Sequence, residues 1–197
     1  MFAVGHLALG YILAKTTSKA LRTKINLPLI FFLSVLPDID VLIPNLNHRG
    51  PLHSIIVITL AFIPFFLYYK KQVAPSYVAI VQHSLIGDYF SGGGVQLLWP
   101  LATGFFGLNL APVSQASISV ELISFIFAVI ILLVTKDMTV LLKPKKENLF
   151  LLLPEGAILG SIFLSLGFGL SVELLVAHLL FFTIFAVAIL TSLKSTV

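Results

Sequence analysis

Cysteine is absent from this 197-residue chain, tryptophan occurs once, and only 10% of residues are charged. Without cysteine there are no disulfides and no thiolate metal sites. The scarcity of charge excludes an ordinary soluble domain, in which about a quarter of residues are charged. What fills the chain instead is apolar: 58% of residues are hydrophobic and the mean hydropathy is +1.08. That is the composition of an integral membrane protein. A spanning helix takes about 20 apolar residues, so there is room for several spans and little else. The expected fold is one all-α membrane domain over residues 1–197, a polytopic bundle of about six to seven transmembrane helices. The net charge of +4 and pI near 9.4 would suit nucleic acid. The basic residues, however, sit where membrane topology puts them, and no nucleic-acid partner is expected.

The opening "MFAVGHLALGYILAK" has no basic residues ahead of its apolar core and reads as a retained helix, not a signal peptide. A second apolar stretch, 25–36, is short for a span and stops at Pro37. Further helices are predicted over 52–69, 74–90, 117–135, 149–169 and 171–193. Residues 91–116 form a Gly- and Pro-rich loop of re-entrant character, with Tyr89 and Trp99 suited to the interface. Within it "SGGG" reads as a flexible hinge, since no GK[ST] follows it. Residues 1–116 hold the polar chemistry and 117–197 the C-terminal helices.

Cytoplasmic loops carry an excess of Lys and Arg. An alternating path with the N-terminus outside puts Lys15, Lys19, Arg22, Lys24, Lys70, Lys71, Lys136, Lys143, Lys145, Lys146 and Lys194 on one side. Arg49 alone falls on the other. The same path brings His6, Asp38, Asp40, His48, His53, His83, Asp88 and Glu121 to the extracytoplasmic face of a multi-pass protein in the cell (inner) membrane.

Ionisable groups in spans are costly and face a cavity or a partner. Histidines and carboxylates without thiols suit a divalent metal, Zn first, with Mn, Fe or Mg as alternatives. His6, Asp38, Asp40, His48, His53, His83 and Asp88 have the numbers for one to two or more ions. Asp38 and Asp40 flank Ile39, and an extended loop would project both to one side. His53 is predicted in the first turn of the third helix. His83 and Asp88 are five apart, about 140° on a regular helix. Either Gly87 loosens the helix there or the two grip different ions. Each residue also has a plainer reading. His178 reads as a packing histidine, Glu155 and Glu173 as structural, and the aspartates alone as turn formers. Arg49 is either a loop charge paired with an aspartate or an anchor for phosphate. The convergence of seven candidate ligands on one face favours the metal reading.

"GHLALGY", "LPDID", "HRGPLHS" and "HSLIGDYFSGGGVQLLWP" resemble the membrane-bound metal-dependent hydrolase family, also described as LexA-regulated inner-membrane hydrolases, over about residues 3–105. More remotely, the pattern is similar to zinc-dependent phospholipase C, except that the later His and Asp are four apart there and five here. The resemblance implies a metal-dependent hydrolase, by the remoter analogy a phosphoesterase, with metal roles for His6, Asp38, Asp40, His48, His53, His83 and Asp88. Its substrate would be a phosphoester, with a lipid of the surrounding bilayer among the candidates. Arg49 would hold phosphate, and Asp88 or Glu121 would be the general base. The alternative is a non-enzyme: a metal-binding membrane scaffold, or a metal or proton transporter.

Overall fold

The computed structural model describes residues 1–165 and 171–194. Its helices are α1 (Ala3–Leu21), α2 (Leu27–Val35), α3 (Ile55–Tyr69), α4 (Ala74–Gln82), α5 (Gln115–Val134), α6 (Asp137–Leu141), α7 (Leu152–Ser165) and α8 (Val172–Lys194). Among the described residues there is no strand, only two isolated bridges in the 89–114 loop, Ser91 with Leu110 and Val95 with Phe106. Local chemistry sets the helix starts. The Asn26 side chain accepts from Leu29 N–H and Pro28 occupies the first turn of α2. Ser54 and Ser114 cap α3 and α5 in the same way.

The packing is the reverse of a soluble protein's. α1 is the hub: His6, Leu7, Ala8 and Tyr11 are all buried. Around it Phe31 of α2 meets Phe181 and Phe185 of α8 at ring-centroid distances of 6.1 and 4.9 Å. A second core joins Ile30 and Leu33 of α2 to Ile58 of α3 and Ile80 of α4. The exposed faces are apolar, with Leu60 and Leu67 on α3, Ile126 and Phe127 on α5, and Val176 and Leu190 on α8. Polar groups turned inward and aliphatic groups turned outward suit a hydrocarbon solvent.

Among the described residues three helical runs are long and apolar enough to cross a membrane: Ile55–Asp88, Gln115–Val134 and Val172–Lys194. This corrects the six to seven spans indicated by hydropathy. The nine residues of α2 rise only about 14 Å against a hydrocarbon core of about 30 Å. α1 is long enough, but Lys15, Thr16, Thr17, Ser18 and Lys19 make its second half too polar. The 14 described residues of α7 rise about 21 Å, and the remainder of the 149–169 segment lies outside the described residues. The run Ile55–Asp88 is not one rod. Thr59 Oγ1 and Tyr77 Oη lie 2.8 Å apart, whereas a straight helix would separate residues 18 apart by about 27 Å. The chain turns back at Lys70–Val73, so α3 and α4 form a hairpin.

The bundle has two unlike ends. The start of α1, the ends of α2 and α4 and the start of α5 meet at one. At the other, Lys15 of α1 pairs with Asp137, which also accepts from Tyr11 Oη at 2.7 Å. There too Lys145 N–H donates to Ser192 Oγ near the end of α8.

Candidate metal centre

Proline opens the site. Pro37 ends α2, and the chain tightens into the 3-10 turn Leu36–Leu42. With about three residues per turn, Asp38 and Asp40 diverge. The extended segment expected from sequence would have aimed them together. They grip opposite edges of one ring instead: Asp40 Oδ2 lies 3.2 Å from His53 Nδ1, and Asp38 Oδ1 lies 3.6 Å from His53 Nε2. His53 ends a separate 3-10 turn, Pro51–His53, one residue before Ser54 caps α3. It is therefore outside the first turn of that helix, because Pro51 begins its own turn and the Ser54 hydroxyl starts the next.

His83 and Asp88 bound a π-helical turn, His83–Asp88, that continues α4. Its i→i+5 bonding puts residues five apart on one face, which settles the spacing that the sequence leaves open. A Cβ on Gly87 would overlap the His6 imidazole. In its absence His6 stacks on His83 with ring centroids 3.6 Å apart.

The ligand atoms of Asp38, His53, His83 and Asp88 all lie within 4.8 Å of one another. His83 Nε2 is 3.2 Å from Asp38 Oδ1 and 3.4 Å from Asp88 Oδ2, and His53 Nε2 is 3.2 Å from Asp88 Oδ2. Donors about 2.0–2.2 Å from a tetrahedral ion lie about 3.3–3.6 Å from one another, so this set has the right size. Each imidazole is fixed from behind. His83 Nδ1 donates to the Ser34 carbonyl at 2.7 Å, so Nε2, hydrogen-bonded to Asp38 Oδ1, is the atom that would turn its lone pair to an ion, and His53 Nδ1 faces Asp40. Both His53 nitrogens and Asp88 Oδ2 are buried without a well-directed hydrogen bond. Near neighbours that do not point at one another are what ligands sharing an ion look like.

Electrostatics point the same way. Two carboxylates within 4.8 Å repel by about 3 kcal/mol at an effective dielectric near 20, and each buried charge adds several kcal/mol of desolvation. Burial opposes ionisation of Asp38, yet His83 and His53 hold its carboxyl well below the usual range. Asp40 is likewise held down to about 2, against burial, by His48 and His53. Burial disfavours charge on His53 too, but Asp38, Asp40 and Asp88 raise it well above its ordinary value. The pocket demands a positive charge, and a divalent ion supplies one without stranding protons among the ligands.

The other candidate residues fall around this group. Asp40 and His48 form a second possible group with His53, but Asp40 is already hydrogen-bonded: Oδ1 to His48 Nδ1 and Oδ2 to Arg49 N–H, both at 2.9 Å. That bond depends on Arg49 taking a left-handed backbone, φ +62°, at a cost of about 1–2 kcal/mol. The Arg49 guanidinium reaches Asp88 Oδ1 at 3.1 Å and the Ser91 carbonyl at 2.8 Å. It lies over Gly92, whose φ of +101° and missing side chain admit it. The "SGGG" stretch is thus a cradle for Arg49 and not a hinge. His6 Nε2 lies 3.5 Å from Asp88 Oδ1, the oxygen turned away from His53 and His83. Glu121 Oε1 accepts from Phe2 N–H at 3.0 Å and caps the start of α1. His178 is elsewhere, donating to the Leu174 carbonyl at 2.7 Å. The sequence reading overlooked Ser34 and Gln82, whose Nε2 donates to the His6 carbonyl at 3.0 Å. Neither carries a signal outside its three-dimensional setting.

The family model described as YdjM inner membrane protein matches residues 1–166, most of the chain and every residue of the cluster, and the chain belongs to that family. No curated protein and no solved structure matches it.

Purified protein is expected to carry one divalent ion per chain by inductively coupled plasma mass spectrometry. His53→Ala and Asp38→Asn should each lower occupancy at least tenfold after dialysis, while His48→Gln and His178→Ala keep the ion. Equal metal content in wild type and His53→Ala would contradict the assignment.

Proposed function

We propose that this member of the YdjM inner membrane protein family is a metal-dependent phosphoester hydrolase. Asp38, His53, His83 and Asp88 would hold the ion, with zinc favoured by the paired imidazoles and carboxylates. The observation that carries the reading is the Asp40–His48 pair at the rim of that cluster. His48 Nδ1 donates to Asp40 Oδ1 at 2.9 Å, which leaves Nε2 free as a base. The His48 side chain is 47% exposed, and its ring lies 5.7 Å from that of His53. In this reading a water held at the ligand set is within reach of that base. A carboxylate-held histidine is the usual form of a general base. In this reading His48 serves as acid and base instead of ligand, and Asp88 and Glu121 are released from that role.

A divalent ion supplies a Lewis acid to the phosphoryl oxygen and lowers the pKa of the attacking water. His48 Nε2 takes the water proton as the new oxygen–phosphorus bond forms. The ester phosphorus–oxygen bond breaks, and His48 returns the proton to the departing alcohol oxygen. Asp40 fixes the His48 tautomer and offsets the imidazolium charge. Arg49 fixes Asp88 through Nη2 and donates from Nη1 to the Ser91 carbonyl, and the N–H groups not used there would meet a phosphate oxygen.

The extracytoplasmic side is part of the proposal. The cluster and the lysines occupy opposite ends of the bundle, and lysine-rich ends stay in the cytoplasm. The natural absence of cysteine makes this testable with single thiols. In intact spheroplasts an impermeant maleimide should label Gly93→Cys at once and Lys145→Cys only after permeabilisation. The reverse pattern would invert the topology.

Metal-loaded protein is expected to cleave bis(p-nitrophenyl) phosphate, and chelation should abolish the activity until the ion is restored. His48→Gln should lower kcat by about 10²–10³ while retaining the ion. Wild-type kcat in His48→Gln would remove the assigned base. Metal uptake into liposomes with no phosphoester cleaved would favour a transporter.

A further inference from the structure

Two cavities meet at His48 and Arg49, which line both. One, of about 520 Å³, runs between α1, the 3-10 turn and α7, and Val35, Leu42, Leu152, Leu153 and Gly156 make it apolar. Asp38 lies at its polar end. The other, of about 540 Å³, is bounded by Gly92, Gly93, Asn109 and Pro112 of the loop. Both have the size of small-molecule sites, about 300–1,000 Å³.

The apolar cavity has a direction. Ala3 N–H donates to Ser161 Oγ at 3.2 Å, so the Ser161 end of α7 lies level with the start of α1 and the ion cluster. Leu152 lies nine residues earlier, about 13 Å deeper into the bundle. That is close to one leaflet of a hydrocarbon core about 30 Å thick. Gly156 and Gly160 face this cavity, and a Cβ added at either meets nothing within 4 Å. These glycines are not explained by close helix packing; their effect is to keep the groove open. At its lip Val41 and Leu42 are exposed, apolar and adjacent to the site.

We propose that the site binds a phospholipid drawn from the surrounding bilayer. One acyl chain lies in the α7 groove, the phosphate sits at Asp38, His48 and Arg49, and the headgroup occupies the Gly93–Asn109 cavity. An apolar groove that opens beside His48 and Arg49 matches an acyl chain joined to a phosphate, and the second cavity, with Asn109 among Gly92, Gly93, Leu110, Ala111 and Pro112, has room for a small headgroup. The proposal rests on the hydrolase reading for the position of the phosphate, while the groove and its chain stand on the cavity itself.

The test is equilibrium binding of radiolabelled lysophosphatidic acids to metal-loaded, detergent-purified protein. The palmitoyl form should bind at least tenfold more tightly than the octanoyl form, because each added methylene is buried. Gly160→Leu and, independently, Gly156→Leu should reduce palmitoyl affinity at least tenfold towards the octanoyl value, with metal content unchanged. Gly93→Phe should weaken lysophosphatidylglycerol, which has a headgroup to place, more than lysophosphatidic acid. Affinity independent of chain length, or unaffected in both groove variants, would overturn the groove. Chain-dependent binding with no hydrolysis of any phosphoester would overturn the hydrolase reading and leave the groove standing.

Discussion

The partly exposed Asp38 and the buried Asp88, held within 4.8 Å of each other at one end of an apolar bundle, require a positive charge between them. Protein side chains supply part of it. Arg49 approaches the outer oxygen of Asp88, and His53 and His83 approach the inner one. The histidines can answer either by keeping protons or by giving them up to an ion. The fixed far nitrogens favour the ion. The Ser34 carbonyl holds the His83 ring through Nδ1 and Asp40 lies 3.2 Å from His53 Nδ1, so the Nε2 of each ring faces the carboxylates, where an ion would take its lone pair.

The rest of the fold serves that placement. α1 brings His6 under His83 and packs against α2, α4, α5, α7 and α8. α2 is too short to cross the membrane and is long enough to deliver Pro37 and the divergent aspartates to the cluster. The α3–α4 hairpin starts just after His53 and ends in the π turn carrying His83 and Asp88. The 89–114 loop closes over the same end: Gln96 N–H donates to the Arg49 carbonyl and Ile55 N–H to the Leu97 carbonyl. The site is built on unusual backbone: the π turn, the left-handed Arg49 and the positive φ of Gly92. Helices elsewhere in the bundle are mostly regular, as expected where backbone must satisfy itself in hydrocarbon.

Much of this was legible in the sequence, because a greasy chain has few places to hide polar residues. "LPDID", "HRGPLHS" and "HSLIGD" identify the segments that converge, and lysine placement separates the two ends. What was not legible is conformational. Whether Asp38 and Asp40 point together or apart depends on an extended or 3-10 backbone, and Pro37 permits both. The five-residue spacing of His83 and Asp88 makes sense only in a π turn, which packing of His6 against Gly87 accompanies. His48 has the composition of a ligand, and its distinct position follows from the direction in which Asp40 faces. Span counting failed for a related reason. The break at Lys70 and Lys71 that separates α3 from α4 and the shortness of α2 were both visible in the sequence; what hydropathy does not register is that the polar second half of α1 keeps that helix from crossing.

The central claim is a single ion bound by two imidazoles and two carboxylates. Extended X-ray absorption fine structure of the zinc-loaded protein tests it most directly. The account predicts four nitrogen and oxygen donors from the protein and a fifth from water, at about 2.0–2.2 Å, with outer-shell scattering from two imidazole rings that falls to one in His83→Ala. A six-oxygen shell without imidazole scattering, or a spectrum unchanged by His83→Ala, would contradict it.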